Sequence, residues 1–321
     1  MKIIDILKGD HKPFTSFELV PPLKGSDINK LYSSIEPLME FNPPFINMTA
    51  HRDEIEYRQA PDGTFRKITV TKRPGTVAIA AAVMKRFNVE VVPHVICGGS
   101  TKNEIENLLL DLNFLGIQNV VALRGDAVPG EKYFAPTPGG HKHSNELVEQ
   151  IARMNRGEYL DDTIKEAVPT DFCVGVAGYP EKHCEAANLE MDIEYLKRKV
   201  DAGADYIVTQ MFFDNSKFFA FVEKCRAAGI TVPIIPGIKP ISTVRHIELL
   251  PQAFSIDIPQ ELMKELVKEL VKCNGNAAIY DLGIEWATMQ CKDLLARGAR
   301  AVHFYTMGKA DNIREIIRKA F

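Results

Sequence analysis

Apolar residues gather along this chain into eight short runs rich in β-branched and aromatic types. Between several of them, apolar positions recur at the three- and four-residue spacing of an amphipathic helix. The runs are FTSFEL (14–19), FINMTA (45–50), VEVVPHVI (89–96), NVVALRG (119–125), FCVGVAGY (172–179), YIVTQMFF (206–213), VPIIPGI (232–238) and AVHFYT (301–306). Thr101 and Glu104 form a capping-box pattern ahead of Ile105, Leu108, Leu109, Leu112 and Leu115, and Gly116 is placed to end that helix. Ile193, Leu196 and Val200 repeat in the same way before Gly203, and Phe218, Phe221, Val222 and Cys225 before Gly229. Residues 259–272 carry Leu262, Met263, Leu266, Val267, Leu270 and Val271 on one face, with Pro259 suited to a first turn. The last strand is therefore preceded by extra helices.

Alternating β and α units predict a parallel sheet, and eight units in 321 residues fit a closed α/β barrel, a (β/α)8 TIM barrel, better than an open sheet. An open doubly wound sheet that binds a dinucleotide usually carries a G-x-G-x-x-G turn; neither that turn nor a phosphate-binding Walker A loop occurs. No Pro-, Gly- or Ser-rich linker divides the chain, so residues 1–321 are expected to form one catalytic domain. Residues 126–145, with GDAVPG, PTPGG and HKH, read as a long functional loop after the fourth strand.

Composition narrows the chemistry. With 45% hydrophobic and 25% charged residues and a net charge of -3, the chain lacks the basic footprint of a nucleic-acid binder. The longest apolar run, TVAIAAAVM (76–84), is too short to span a bilayer, and Asp5 and Lys8 interrupt any signal-peptide core. A cytoplasmic enzyme acting on small molecules is expected. The six cysteines (Cys97, Cys173, Cys184, Cys225, Cys273, Cys291) include no C-x-x-C, which argues for small buried hydrophobes over disulfides or zinc.

In such a barrel chemistry sits where strands end, so polar residues at or just past each run are the candidates. Glu18, flanked by Phe17 and Leu19, should be desolvated, with a raised pKa suited to a general acid; the alternative is a carboxylate tied up by an Arg or Lys across the barrel. Arg124, Gly125 and Asp126 either hold a ligand at a turn or form a structural ion pair. Gln210 follows an apolar run and either reads a polar heterocycle or satisfies backbone groups. Thr49, His94, Tyr179, His303 and Tyr305 also stand at strand ends. His94 and His303 lack partners at ligand spacing, so no metal is expected. His141 and His143 read as solvated loop residues, and His183 and Cys184, being adjacent, are not expected to face each other as a nucleophile pair.

FELVPP, the PH of VPHVIC, ALRGD, AGYPEKH, LKRKVDAGAD, TQMFFD, IIPGI and HFYT, in that order, resemble the signature of the methylenetetrahydrofolate reductase family from about residue 14 to the end. The resemblance implies an FAD-containing barrel that takes hydride from NADH or NADPH and passes it to 5,10-methylenetetrahydrofolate by a ping-pong scheme. It makes Glu18 the acid that opens the folate's five-membered ring, and Asp126 a charge near flavin and pterin. It implies FAD contacts from Thr49, His94, Arg124, Gly125, Asp126, Tyr179, His183, Ala186, Asp192, Arg198 and Lys199. Gln210, His246 and Lys309 would contact the folate, and homo-oligomers are usual in the family.

The chain departs from the family pattern in places. Ala50 replaces a frequent tyrosine and Tyr195 an asparagine; Gly308 and Lys309 stand for Asn-Arg, and His246 for a glutamine. A lysine at 309 cannot form the planar fork of the arginine that meets the folate tail in relatives. Two other readings compete: another flavin barrel, such as a proline dehydrogenase relative, which would need a cationic cluster for a carboxylate, or a folate-binding or electron-transfer subunit of a larger complex.

Overall fold

A computed structural model describes residues 1–128, 131, 133–272 and 275–321. All eight predicted runs are barrel strands: β1 (Phe14–Leu19), β2 (Phe45–Met48), β5 (Glu90–Ile96), β6 (Asn119–Leu123), β7 (Cys173–Gly178), β8 (Tyr206–Met211), β9 (Ile234–Ile238) and β10 (Ala301–Tyr305). They pair in parallel in the closed order β1-β10-β9-β8-β7-β6-β5-β2, with β2 returning to β1. The helix after β5, α4 (Lys102–Phe114), starts on the anticipated capping box, in which Thr101 and Glu104 satisfy each other's backbone N–H. Between β9 and β10 lie the predicted extra helices, α8 (Val244–Phe254), α9 (Gln260–Val271) and α10 (Gly275–Ala296).

An antiparallel hairpin, β3 (Glu54–Gln59) with β4 (Phe65–Val70), was not predicted. Its residues are all partly or fully exposed, so it has no buried face to impose a period on the sequence, although Asp62-Gly63 does mark its turn. Another departure concerns His141, which is buried and bonds Gln150 on α5 (Ser144–Met154) instead of standing in solvent; His143 is exposed as expected. Cys97, Cys173, Cys225 and Cys291 are buried, and burial pushes each thiol up to about 12, leaving them chemically inert. Cys273, like Pro129, Gly130 and Lys132 of the long loop, lies outside the described residues.

The barrel's interior decides where a ligand can go. Helix α1 (Ile3–Lys8) sets Ile3 and Leu7 among Phe45, Cys173, Tyr206, Ile235 and Ala301, residues at the N-terminal ends of their strands. Asn119 fixes this plug by accepting from Ile3 N–H at 2.9 Å and donating to the Met1 carbonyl. One mouth is thus closed with side chains, and the C-terminal rim remains. A second apolar layer, including Leu109, Leu112, Val120, Val174, Leu196 and Ile207, joins sheet to helices.

Within the plug, Tyr206 is fully buried over Gly175, where a Cβ would lie 2.5 Å from the tyrosine Cζ. Only glycine leaves room for that ring. Gly175→Ala should therefore destabilise the protein by roughly 1–3 kcal/mol, the usual cost of overpacking, while Tyr206→Phe should be tolerated, since the tyrosine hydroxyl has no partner. Denaturant midpoints for both variants check this.

Candidate active site at the barrel rim

Alternation along β1 turns Ser16 and Glu18 inward while Phe17 and Leu19 pack outside. The pairing Glu18 with Tyr305 on one side and Asn47 on the other carries β10 and β2 up to the same level. As a result Glu18 Oε2 lies 3.5 Å from His94 Nε2 and 3.9 Å from His303 Nε2. Ser16 Oγ bonds His303 Nδ1 at 2.8 Å, and Asn47 Nδ2 approaches His94 Nε2 at 3.4 Å. Both imidazoles are buried, and the carboxylate is about 20% exposed.

The expected raised pKa of Glu18 is corrected by this setting. Burial does push the carboxyl up, but the imidazole of His303 and the charges of His94, His303 and His51 more than reverse it, so the carboxyl sits below its ordinary value. Burial in turn drives His94 down, favouring a neutral ring despite the nearby carboxylate. Without a ligand, then, Glu18 is an ionised carboxylate among imidazoles. The alternative, an Arg or Lys tying the carboxylate up across the barrel, is corrected as well, since its partners there are the imidazoles of His94 and His303.

His51, two residues past Thr49 and bonded to its Oγ1 at 3.0 Å, feels the charges of both Asp126 and Glu18, so the two carboxylates face one region of the rim. Asp126 follows Gly125, whose φ of 85° is left-handed and turns the chain sharply after β6. Arg52 secures that turn by donating to the Asp126 carbonyl at 3.2 Å. Neither His51 nor Arg52 had been singled out from the sequence, although both follow the second apolar run.

Beside this turn lies a second polar cluster. Arg124 grips Glu185 with two 2.6 Å hydrogen bonds, and its guanidinium stands 5.0 Å from the Phe134 ring centre. Tyr179 meets His183 edge-on at 4.9 Å, and His183 N–H donates to Asp192 on α6 (Leu189–Asp201) at 2.9 Å. Lys199 donates to the Ala177 carbonyl at 2.8 Å under the Tyr179 ring; burial lowers its ammonium to about 8, with Asp192 working against that shift. Burial also raises Asp192 and Tyr179 and lowers His183. Ala186 is buried at the end of this loop. Arg198 stands apart, exposed and paired with Glu194 at 2.5 Å, with its guanidinium over Tyr195. Contrary to expectation, Cys184 Sγ does approach His183 Nδ1, at 3.8 Å, but that nitrogen already accepts the Glu185 N–H at 3.1 Å.

On the third side, a register shift in β8 between Val208 and Met211 forms a bulge at Gln210. Tyr305 Oη donates to the Thr209 carbonyl at 2.7 Å and Gly237 N–H to Thr209 Oγ1 at 2.9 Å, which locks the bulge in place. Gln210 and Tyr179 border a shallow space of about 160 Å³. His246 on α8 accepts the Ser242 N–H on Nδ1 at 3.3 Å, and burial with Lys239 and Lys309 nearby lowers it to about 4. Lys309 closes a turn whose Thr306 hydroxyl donates to the Glu18 carbonyl at 2.8 Å. Among the described residues, no group of three or more His, Cys, Asp or Glu could hold a metal ion. No helix among them is long and apolar enough to cross a membrane.

Comparison with known proteins bears on this arrangement. The family model for methylenetetrahydrofolate reductase matches residues 2–320. The 5,10-methylenetetrahydrofolate reductases of Salmonella typhimurium and Escherichia coli are each 31% identical, over 92% of this chain and 86% of theirs. Methylenetetrahydrofolate reductase (NADH) 1 of Arabidopsis thaliana is 34% identical over 96% of this chain but 48% of its own length. The chain thus spans about half the length of the plant and fission-yeast relatives it matches. A solved Clostridium thermocellum protein, described as binding two copies of 5-methyl-5,6,7,8-tetrahydrofolic acid, shares the fold with a TM-score of 0.56 at 13% identity, over 98% of this chain and 96% of its own.

The lowered Glu18 pKa gives a signed prediction. A carboxyl whose folded pKa lies below its unfolded value contributes stability above the unfolded pKa, about 4.3, and loses it as pH falls through the folded one. In calorimetry of ligand-free protein, wild type should therefore exceed Glu18→Gln in stability at pH 7, with the gap closing below about pH 4.3. A gap that widens on acidification would contradict the resting state described.

Proposed function

The chain belongs to the methylenetetrahydrofolate reductase family, and from that premise we propose that it reduces 5,10-methylenetetrahydrofolate to 5-methyltetrahydrofolate, using NADH or NADPH and a bound FAD in two alternating half-reactions. The observation that carries this reading is the convergence of Glu18, Asp126, Tyr179 and Gln210 on the one open mouth of the barrel. The donor set suits FAD. Arg124 and Lys199 offer cationic donors to a diphosphate, Gly125 lets backbone come close, and Thr49, His94, His183 and Asp192 supply further polar contacts. Two of the five Arg124 donors are engaged by Glu185, which leaves others for a ligand. Ala186 would add backbone contact to the same loop, whereas Arg198 would have to leave Glu194 to take part. Bound FAD would supply the two-electron carrier between nicotinamide and folate.

Glu18 handles the proton. Opening the folate's five-membered ring breaks the bond between the bridging carbon and N10, and the electron pair left on N10 needs a proton. The carbon becomes an iminium with N5, ready to accept hydride. A flat ligand covering the rim removes the remaining water contact of Glu18, raising its pKa so that the carboxyl binds a proton and offers it to N10. The neighbouring imidazoles His94 and His303 hold the carboxyl in place for that transfer. Asp126 contributes a negative charge that favours the cationic iminium. Gln210 Oε1 accepts the Met211 N–H at 3.0 Å, which satisfies a backbone group and leaves the amide NH2 and the second oxygen lone pair to meet the pterin edge.

Two outcomes follow. In anaerobic stopped-flow, Glu18→Gln should leave flavin reduction by the nicotinamide within about threefold of wild type while folate reduction falls by roughly 10²–10⁴-fold, the span of general acid catalysis. Equal slowing of both half-reactions would refute the acid role. Asp126→Asn removes a negative charge beside the cofactor and should raise the flavin midpoint potential by roughly 30 mV, the equivalent of about 1.4 kcal/mol for two electrons. An unchanged potential in anaerobic titration would count against that placement.

A further inference from the structure

Inside the barrel, Val92, Val121 and Val208 pack in the same apolar cluster as the plug, but Ser16, Asn47 and His303, on the adjoining strands β1, β2 and β10, are polar and each no more than 1% exposed. Burying such groups is costly unless their hydrogen bonds are used. Asn47 Oδ1 and His303 Nε2 have no hydrogen-bond partner among the described residues, so packing alone does not account for this polar side of the interior.

The bonds that are formed set two tautomers. An amide NH2 can only donate, so the 3.4 Å approach of Asn47 Nδ2 to His94 Nε2 makes that nitrogen an acceptor and leaves the proton of the neutral His94 ring on Nδ1. Ser16 Oγ stands 2.8 Å from His303 Nδ1, while His303 Nε2 faces the Glu18 carboxylate 3.9 Å away. That carboxylate favours a proton on Nε2, and the serine hydroxyl then donates to Nδ1. Glu18 Oε2 is thus flanked by a lone pair, on His94 Nε2 at 3.5 Å, and by an N–H, on His303. The N–H suits the carboxylate. The lone pair suits the protonated acid, whose O–H it can accept. Donors on both sides would lock Glu18 as a carboxylate, and acceptors on both sides would lock it as an acid. The other titratable groups around it are His51, which burial lowers, and Tyr305, which burial and the Glu18 charge keep protonated.

We propose that Ser16 and Asn47 are positioning residues that hold His303 and His94 in opposite tautomers, so that Glu18 has a partner both as carboxylate and as acid and changes between the two without moving. The inference rests on the acid role proposed for Glu18 and adds two buried side chains to it.

The experiment compares holoenzyme of wild type, Ser16→Ala, Ser16→Thr and Asn47→Leu. Nitrogen NMR of isotope-labelled histidine should show, in wild type, the His94 ring protonated on Nδ1 and the His303 ring on Nε2. Folate reduction should slow on the alkaline side of its pH profile, because Glu18 must carry a proton. That limb should move up by about one pH unit in Ser16→Ala, where the carboxylate loses its fixed donor, and down by about one unit in Asn47→Leu, where the acid loses its acceptor. Asn47→Ala gives the same reading if leucine is not accommodated. Ser16→Thr keeps the hydroxyl and should restore the wild-type limb. A purely structural role for these side chains would not move the limb in opposite directions. Shifts of the same sign, no shift in either variant, or both wild-type rings protonated on the same nitrogen would each overturn the proposal. Wild-type protein that reduces no folate would instead overturn the acid role on which it rests, and the ring spectra would still decide the tautomers.

Discussion

The pairing of β1 with β10 is the contact on which the rest depends. It joins the first strand of the barrel to the last, closes the cylinder, and in the same register sets Glu18 level with Tyr305 and within ion-pair distance of His303. Had the sheet stayed open, Glu18 would stand on an edge strand with water as its partner. Closure makes the carboxylate one wall of a shared rim, where its ionisation is set by His94 and His303 from two other strands and by His51 from the loop after β2.

The plugged end of the barrel gives this rim its exclusivity. Ile3 and Leu7 fill the opposite mouth together with Tyr206 and Phe45, and no polar ligand can be received there without uncovering them. The open mouth divides into sectors with distinct electrostatics. Glu18 and its imidazoles hold a proton site, the Arg124 to Lys199 cluster presents cations at the loop after β6 and β7, and Gln210, His246 and Lys309 form a third side. The proposed reaction, in which nicotinamide and folate would bind in turn, would use such a division: a carboxyl group in one sector, cations in the others, and a surface between them that both substrates could share.

The strands were legible because each is an apolar run flanked by polar or turn residues, and closure of the barrel buries both of its faces. The hairpin β3–β4 escaped because its exposed residues obey no such constraint, and only its turn left a mark. Glu18 could be found as a polar residue in an apolar strand, but its pKa could not be read. An apolar run marks Glu18 as buried, which is a local signal, whereas the opposing influence of His94 and His303 arises from strands distant in sequence. His51 did leave a signal, since it lies just past an apolar run, the criterion that had located Asp126. Glu185 is different: its grip on Arg124 depends on a loop conformation that no periodicity records.

In the proposed function Glu18 rests as a carboxylate and becomes an acid only when folate covers it. Proton exchange on adding 5,10-methylenetetrahydrofolate to the oxidised enzyme, followed with a pH indicator in weak buffer near pH 7, tests this most directly. About one proton should be taken up per site in wild type, and none in Glu18→Gln. Full activity with no uptake in wild type, or the same uptake in the variant, would contradict it.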